Sequence, residues 1–219
     1  MRRYVGEWSA TSERVWMETG LTVRRAGAAD RDALIAAYTA ANADEAVFEW
    51  ISAGYPVEAI QAGFVRELID TALAEDEIWV AGPGAEIWTV SIWQTLTDLD
   101  RATAAAVETR AQADALPDVR SVRRAAEVME LLAREHPREF PHGYLQIVVT
   151  RPEHRGKGST SAILADRLKA ASDRGLPVFL EASTERSARL YARHGFTAEP
   201  VTHELPESGP TLRPMWFRG

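Results

Sequence analysis

The stretch RPEHRGKGSTSAIL, residues 151–164, directly follows the apolar run YLQIVVT at 144–150. A β-branched apolar run reads as a buried strand, and the residues that follow the glycines read as a helix continuing to about Arg174. Gly156 and Gly158 allow a tight path between the two, with successive N–H groups turned inward as an anion-binding nest. A helix that begins near Ser159 presents its unpaired amides and positive dipole end to the same spot. Arg155 and Lys157 add charge, so the loop suits a pyrophosphate. Read alone, it is equally an ordinary strand-to-helix turn with solvated cations.

Two common nucleotide motifs fail here. GxxxxGK[ST] requires Ser or Thr after the lysine, but Lys157 is followed by Gly158. GxGxxG requires a third glycine where Ser161 stands. Downstream, VFLEAS (178–183) reads as a strand and ERSARLYARH (185–194) as a helix capped by Gly195. Three blocks then stand in order: RGKGST (155–160), FLEAST (179–184) and LYARHGF (190–196). Together they resemble the R-x-x-G-x-[GA], LEAS and Y-x-[RK]-[HL]-G-F pattern of the GCN5-related N-acetyltransferases (GNAT superfamily), across residues 143–197. Farther out, ADEAVFEWI (43–51), EIWVAGPGAEIWTVSIW (77–93) and TLRPMWFRG (211–219) are similar to the subgroup that contains puromycin N-acetyltransferase.

The resemblance implies an α/β (α+β) GNAT fold, with a mixed, mostly antiparallel sheet and a helical insertion before the CoA-binding strand. It also implies acetyl-CoA as cosubstrate, with no metal, and direct transfer to a primary amine of a small, antibiotic-like or natural-product-like molecule. The pyrophosphate would lie on Arg155, Gly156, Lys157, Gly158, Ser159 and Thr160. The pantetheine arm would run beside Val148, Val149 and Thr150, and a backbone N–H near Val148 or Val149 would meet the oxyanion. Ser187 takes the place of an Asn that often touches CoA. Thr160 replaces Gly or Ala, and is expected to act as a hydroxyl ligand or a helix cap. Arg151 stands where Asp or Ser is frequent.

Tyr191 matches the family tyrosine beside the CoA sulfur. A phenol near pKa 10 facing a thiol near 8.5 makes full proton transfer uphill by roughly 2 kcal/mol, so its expected role is hydrogen-bond donation to the departing thiolate. Glu181 is the candidate base, with a structural carboxylate as the competing reading. Glu45 and Glu49 are candidates to hold a cationic substrate, or else exposed helix charges. Gln146 is a candidate contact to either substrate. Trp50, Tyr55, Trp79, Trp88 and Trp93 crowd the acceptor half, mostly as core, with one or two expected to line an acceptor pocket.

The chain of 219 residues carries a formal net charge of −7 and no cysteine, which removes disulfides, thiolate nucleophiles and zinc-thiolate sites. Five histidines form no HExxH pair, so no metal is expected. No basic patch suggests nucleic acid, and Arg123 and Arg124 read as the wet face of a helix. No apolar run approaches the roughly 20 residues that span a bilayer. The N-terminal MRRYVGEWSATSERVW lacks the apolar core of a secretory signal, so the expected compartment is cytoplasmic. The expected organisation is an N-terminal extension over 1–20 and one domain over 21–219, as monomer or homodimer. Helices are expected over 29–43, 44–51, 57–74 and, in two pieces, 98–135. The apolar faces expected are Ile60, Phe64 and Leu68, extended at its end by Leu73, in the third, and Val122, Ala126, Met129 and Leu132 in the last. A protein or peptide N-acetyltransferase and a non-catalytic CoA-binding sensor are the competing functions.

Overall fold

Short alternating runs punctuated by glycine and proline give eight strands among the described residues, and the strands build one mixed sheet. The computed structural model describes residues 20–42, 44–55 and 57–219, the first six of the last stretch by backbone alone. The expected extension over 1–20, except Gly20, and the side chain of Ile60 lie outside the described residues.

The strands are β1 (Leu21–Arg25), β2 (Glu77–Pro83), β3 (Thr89–Leu96), β4 (His142–Thr150), β5 (Val178–Ala182), β6 (Thr197–Ala198), β7 (His203–Glu204) and β8 (Thr211–Phe217). Their spatial order is β1-β2-β3-β4-β5-β8-β6, with β7 paired to β8 off that path. Every pairing is antiparallel except β4 with β5. The helices are α1 (Arg31–Asn42), α2 (Ala46–Ser52), α3 (Val57–Glu75), α4 (Asp100–Ala115), α5 (Arg120–Glu135), α6 (Ser159–Ser172) and α7 (Glu185–Arg193). This is the GNAT fold, and α4 and α5 form the expected insertion before β4.

Alternation along the strands divides the core into two faces. Leu34, Tyr38, Val65, Ile69, Ile78, Val80, Ile92 and Val149 pack between α1, α3 and the sheet. On the other side, Leu145, Ile163, Leu164, Leu168, Leu180, Tyr191 and Phe217 pack beneath α6 and α7. Ile163, Leu164 and Leu168 are buried almost completely, at about 1.5–3 kcal/mol each, which fixes α6 on the sheet and its N-terminus at the end of β4. Phe64, expected on the apolar face of α3, is half exposed, and Val65 and Ile69 are the buried residues instead.

The sheet opens where β4 leaves β5. Only Gly143 with Val178 and Tyr144 with Phe179 are paired. Immediately beyond, β4 carries a bulge: Ile92 pairs with Ile147 and Trp93 with Leu145, leaving Gln146 without a partner on β3. An extra residue bends a strand and increases its twist, so β4 turns away from β5 from this point on. The result is a fork with Leu145–Thr150 on one arm and Leu180–Ala182 on the other.

In α5 the expected face is rotated. Ser121, Arg124, Val128 and Leu131 are buried along with Ala126, while Val122, Met129 and Leu132 are only partly covered. Arg123 is exposed as expected, but Arg124 is not on the wet face. Its guanidinium lies 4.5 Å from the Trp50 ring centre, donates to the Trp50 carbonyl and pairs with Glu207 at 2.6 Å. Hydrophobic periodicity misplaced it because a long side chain buries its stem and spends its charge on local acceptors. Among the described residues, no helix is long and apolar enough to cross a membrane.

Candidate active site

The glycine loop has the geometry its composition requires. Gly156 and Gly158 adopt φ of 76° and 88°, a region that L side chains rarely enter. Gly158 is the residue before α6, and its conformation turns the first amides of that helix toward the loop. A helix N-terminus of 14 residues beside two left-handed glycines is a fitting cradle for a pyrophosphate. The side chain of Lys157 is exposed at this rim, with its ammonium 5.1 Å from the Trp88 ring centre. Trp88 in turn stacks on His154, with centroids 4.3 Å apart.

Hydroxyls lock this loop to the sheet. Thr89 Oγ1 lies 2.7 Å from Ser159 Oγ and 2.8 Å from Thr150 Oγ1, and Thr150 Oγ1 lies 2.7 Å from Thr160 Oγ1. Thr160 is therefore no helix cap: Gly158 holds that position, and the Thr160 hydroxyl faces Thr150. Ser187 is also committed locally. It shares a capping box with Thr184, donating to the Thr184 carbonyl at 2.8 Å while its own N–H donates to Thr184 Oγ1 at 3.0 Å.

Arg155 does not stand free over the loop. It donates to both carboxylate oxygens of Asp44 at 2.6 Å and to the Thr150 carbonyl at 3.1 Å. The pairing holds the Asp44 carboxyl below its ordinary range. It also ties the segment between α1 and α2 to the mouth of the fork. Glu45, the next residue, caps α2 by accepting from the N–H groups of Val47 and Phe48 at 3.0 Å. Its charge still reaches two phenols, because it adds to burial in raising the pKa of both Tyr38 and Tyr191. Glu45, Tyr38 and Tyr191 thus gather at one place, whereas Glu49 points outward and is exposed.

Glu181 sits on β5 just past the last residue paired to β4. Its side chain is 8% exposed. Burial pushes its carboxyl up to about 7, against the opposing effects of the Tyr144 hydroxyl and of a backbone N–H. His136, at the C-terminal end of α5, places Nδ1 3.8 Å from Glu181 Oε1 and Nε2 3.0 Å from His142 Nε2. Tyr191 is buried between Phe196 and the α6 side of the sheet, and its burial keeps the phenol protonated across the neutral range. Gln146, the bulged residue, turns its amide oxygen to Gln94 at 3.2 Å.

The aromatic residues separate. Trp79 and Trp93 pack on the α6 side, Trp79 under the Arg167 guanidinium at 3.9 Å. Trp50 lies beneath Arg124, and the Tyr55 hydroxyl accepts from the Arg120 N–H at 3.0 Å. Trp88 packs against the glycine loop through His154 and Lys157. These five residues are therefore spread over three places in the fold. His136, His142, Tyr144, Tyr38 and Asp44 escaped the sequence reading. The only trace of the histidine pair is HPREFPHG, where a proline-bearing turn brings residues six apart into contact.

Comparison with known proteins agrees with this geometry. Residues 125–196 match the model of the acetyltransferase (GNAT) family. The fold is similar to that of a histone acetyltransferase HPA2 and related acetyltransferase from Corynebacterium glutamicum, at 25% identity and a TM-score of 0.63, covering 90% of this chain and 95% of that one. It is also similar to the Drosophila melanogaster polyamine N-acetyltransferase that forms N-acetylagmatine (15% identity, TM-score 0.66, 91% and 100% covered). Arylalkylamine N-acetyltransferase 2 from Aedes aegypti shares the fold as well (14% identity, TM-score 0.64, 90% and 97% covered). The family match at residues 125–196 takes in β4, the glycine loop, β5 and Tyr191, and over that stretch the chain is similar to acetyltransferases of the GNAT superfamily.

Proposed function

We propose that the protein transfers acetyl from acetyl-CoA to a primary amine of a small cationic molecule, with Tyr191 and Glu181 as its catalytic residues. One observation carries the reading: Glu181 stands on β5 just past the point where β4 and β5 part, buried and only half inclined to ionise at neutral pH. When bound, acetyl-CoA supplies the activated acetyl thioester. Every further step belongs to the chain. The amides of residues 156–160 and the Lys157 ammonium hold the pyrophosphate. Successive N–H groups along a strand alternate in direction, so one of Val148 and Val149 turns its N–H into the fork as an oxyanion donor. Glu181 takes a proton from the amine, because a base near 7 is well matched to neutral conditions. Tyr191, kept protonated by burial, donates to the sulfur as it departs.

Support for a small amine comes from the acceptor side. The insertion helix α5 lies over α2, and Arg124, Arg120 and Tyr55 tie the two together. The fold relatives include polyamine and arylalkylamine acetyltransferases, and the Glu45 carboxylate near Tyr191 suits a cationic acceptor. The sequence likeness to the puromycin N-acetyltransferase subgroup makes a natural-product amine a further arm of the test.

The test is calorimetric titration with acetyl-CoA, then thiol release with agmatine, spermidine, tyramine, puromycin and a lysine-tailed peptide. Binding of acetyl-CoA and turnover with at least one small amine are expected, along with loss of turnover in Glu181→Gln. Turnover confined to the peptide would overturn the substrate class, and binding without turnover would favour a sensor.

A further inference from the structure

The buried imidazoles behind Glu181 have a hydrogen-bond direction that the surroundings dictate. His142 Nδ1 lies 2.7 Å from the Glu139 backbone carbonyl. A carbonyl only accepts, so His142 carries its hydrogen on Nδ1. Burial lowers the pKa of His142 and so favours the neutral ring, which leaves Nε2 bare. That bare nitrogen stands 3.0 Å from His136 Nε2, which must therefore be the donor. His136 is itself driven neutral, down to about 4, by burial and by its neighbour. With its hydrogen on Nε2, it is left with an unprotonated Nδ1, and this is the atom that faces Glu181 Oε1 at 3.8 Å.

We infer that His136, oriented by His142, is a positioning residue for Glu181: its bare Nδ1 receives the hydrogen of the carboxyl group once Glu181 has taken a proton from the substrate amine. The inference rests on the reading of Glu181 as the base. In the step itself the N–H bond of the amine breaks and an O–H bond forms on Glu181. The new O–H then points at Nδ1 and stays on oxygen. About 1 Å of side-chain motion brings the pair within hydrogen-bond distance. With the carboxyl ionised, the same lone pair repels it, so the arrangement favours the proton-bearing state.

Among the described residues, the other groups around this pair do not supply a competing donor to Nδ1. Tyr144 from β4 acts on the Glu181 carboxyl. The Glu139 carboxylate is taken by Arg218 from the end of β8, at 2.6 and 3.0 Å. Phe140, Phe179 and Trp216 wall the imidazoles with carbon.

The test needs no substrate. In the wild-type protein labelled with 15N-histidine, two-bond correlation spectra at pH 7 should show His136 protonated on Nε2 and bare on Nδ1; a hydrogen on Nδ1 would overturn the inference. With 13C-labelled glutamate side chains, the Glu181 carboxyl should titrate about one pH unit lower in His136→Leu than in wild type, the size expected for one lost hydrogen bond. His136→Asn, which returns an acceptor near the Nδ1 position, should recover most of that change. An unmoved midpoint in folded His136→Leu also overturns it. Turnover surviving in Glu181→Gln would instead remove the base assignment and leave both of these measurements as they are.

Discussion

Arg155 reaches across 111 residues of sequence to donate to both carboxylate oxygens of Asp44 at 2.6 Å. The glycine loop and the segment before α2 are thereby joined at the mouth of the fork. Both side chains are partly exposed, at 34% and 55%, so the pair itself is worth no more than about 1 kcal/mol. If the pyrophosphate binds as proposed, the consequence is competition, because it and Asp44 would want the same guanidinium. Asp44→Asn is expected to tighten acetyl-CoA binding about two- to fivefold in calorimetry, and Arg155→Ala to weaken it about tenfold. Weaker binding in Asp44→Asn would mean that Asp44 orients the arginine for the donor.

Tyr191 is buried, and its pKa is raised by burial and by the charge of Glu45. In the proposed mechanism its hydroxyl is a donor needed only as sulfur departs. Tyr191→Phe should lower kcat about 100-fold while the Kd for acetyl-CoA stays within twofold. Unchanged kcat removes the phenol from the chemistry.

Glu181 gives stability a defined pH dependence. Its folded pKa of about 7 exceeds the ordinary 4.5. Between those values the folded protein holds a proton that the unfolded chain has lost, so this group makes stability fall as pH rises from 4.5 to 7. His136, lowered from 6.5 to about 4, acts oppositely, and its contribution grows as pH rises across that interval. The two offset each other in the wild type. Glu181→Gln should gain on the wild type progressively from pH 4.5 to 7, by about 3 kcal/mol at most, as read by denaturant unfolding at each pH. A constant difference would contradict the shift.

Thr89 is fully buried, and its hydroxyl links Ser159 to Thr150. Thr89→Val should cost about 1–3 kcal/mol by leaving Ser159 short of a partner. Thr160→Ala should cost less, about 1 kcal/mol, since Thr150 keeps its bond to Thr89. Thermal melts measure both. A loss of acetyl-CoA affinity in Thr160→Ala beyond about threefold would add this hydroxyl to the phosphate ligands.

Arg124 is buried between the Trp50 ring, the Trp50 carbonyl and Glu207, whose side chain is half exposed. Arg124→Ala should destabilise by about 2–3 kcal/mol, below the cost of a fully buried pair because water can still reach Glu207. Arg124→Met, which keeps the stem, should recover part of the loss in chemical denaturation. An effect under about 0.5 kcal/mol would show that the insertion is held by its apolar face alone.

The segments most legible in the sequence are those whose geometry is local. Gly156 and Gly158 demand positive φ whatever surrounds them, and the strand, loop and helix around them follow from residues within reach of one another. RGKGST, FLEAST and LYARHGF carried the fold for the same reason: each is a turn, a strand end or a cap with its own chemistry. The α5 face was misjudged because periodicity counts apolar residues, whereas Arg124 is buried by partners 74 and 83 residues away.

By itself, then, the sequence determined the order of strands and helices, the glycine loop between β4 and α6 and the positions of Glu181 and Tyr191 along the chain. Only the tertiary structure decided what those side chains meet. It gave Arg155 to Asp44, the Thr160 hydroxyl to Thr150 and Ser187 to Thr184, and set His136 Nδ1 3.8 Å from Glu181 Oε1. Hydrogen bonds reach only about 3 Å, so a polar side chain's partner is set by which distant segments the packed sheet brings alongside it. That proximity is a property of the whole fold and is written in no single stretch of the chain.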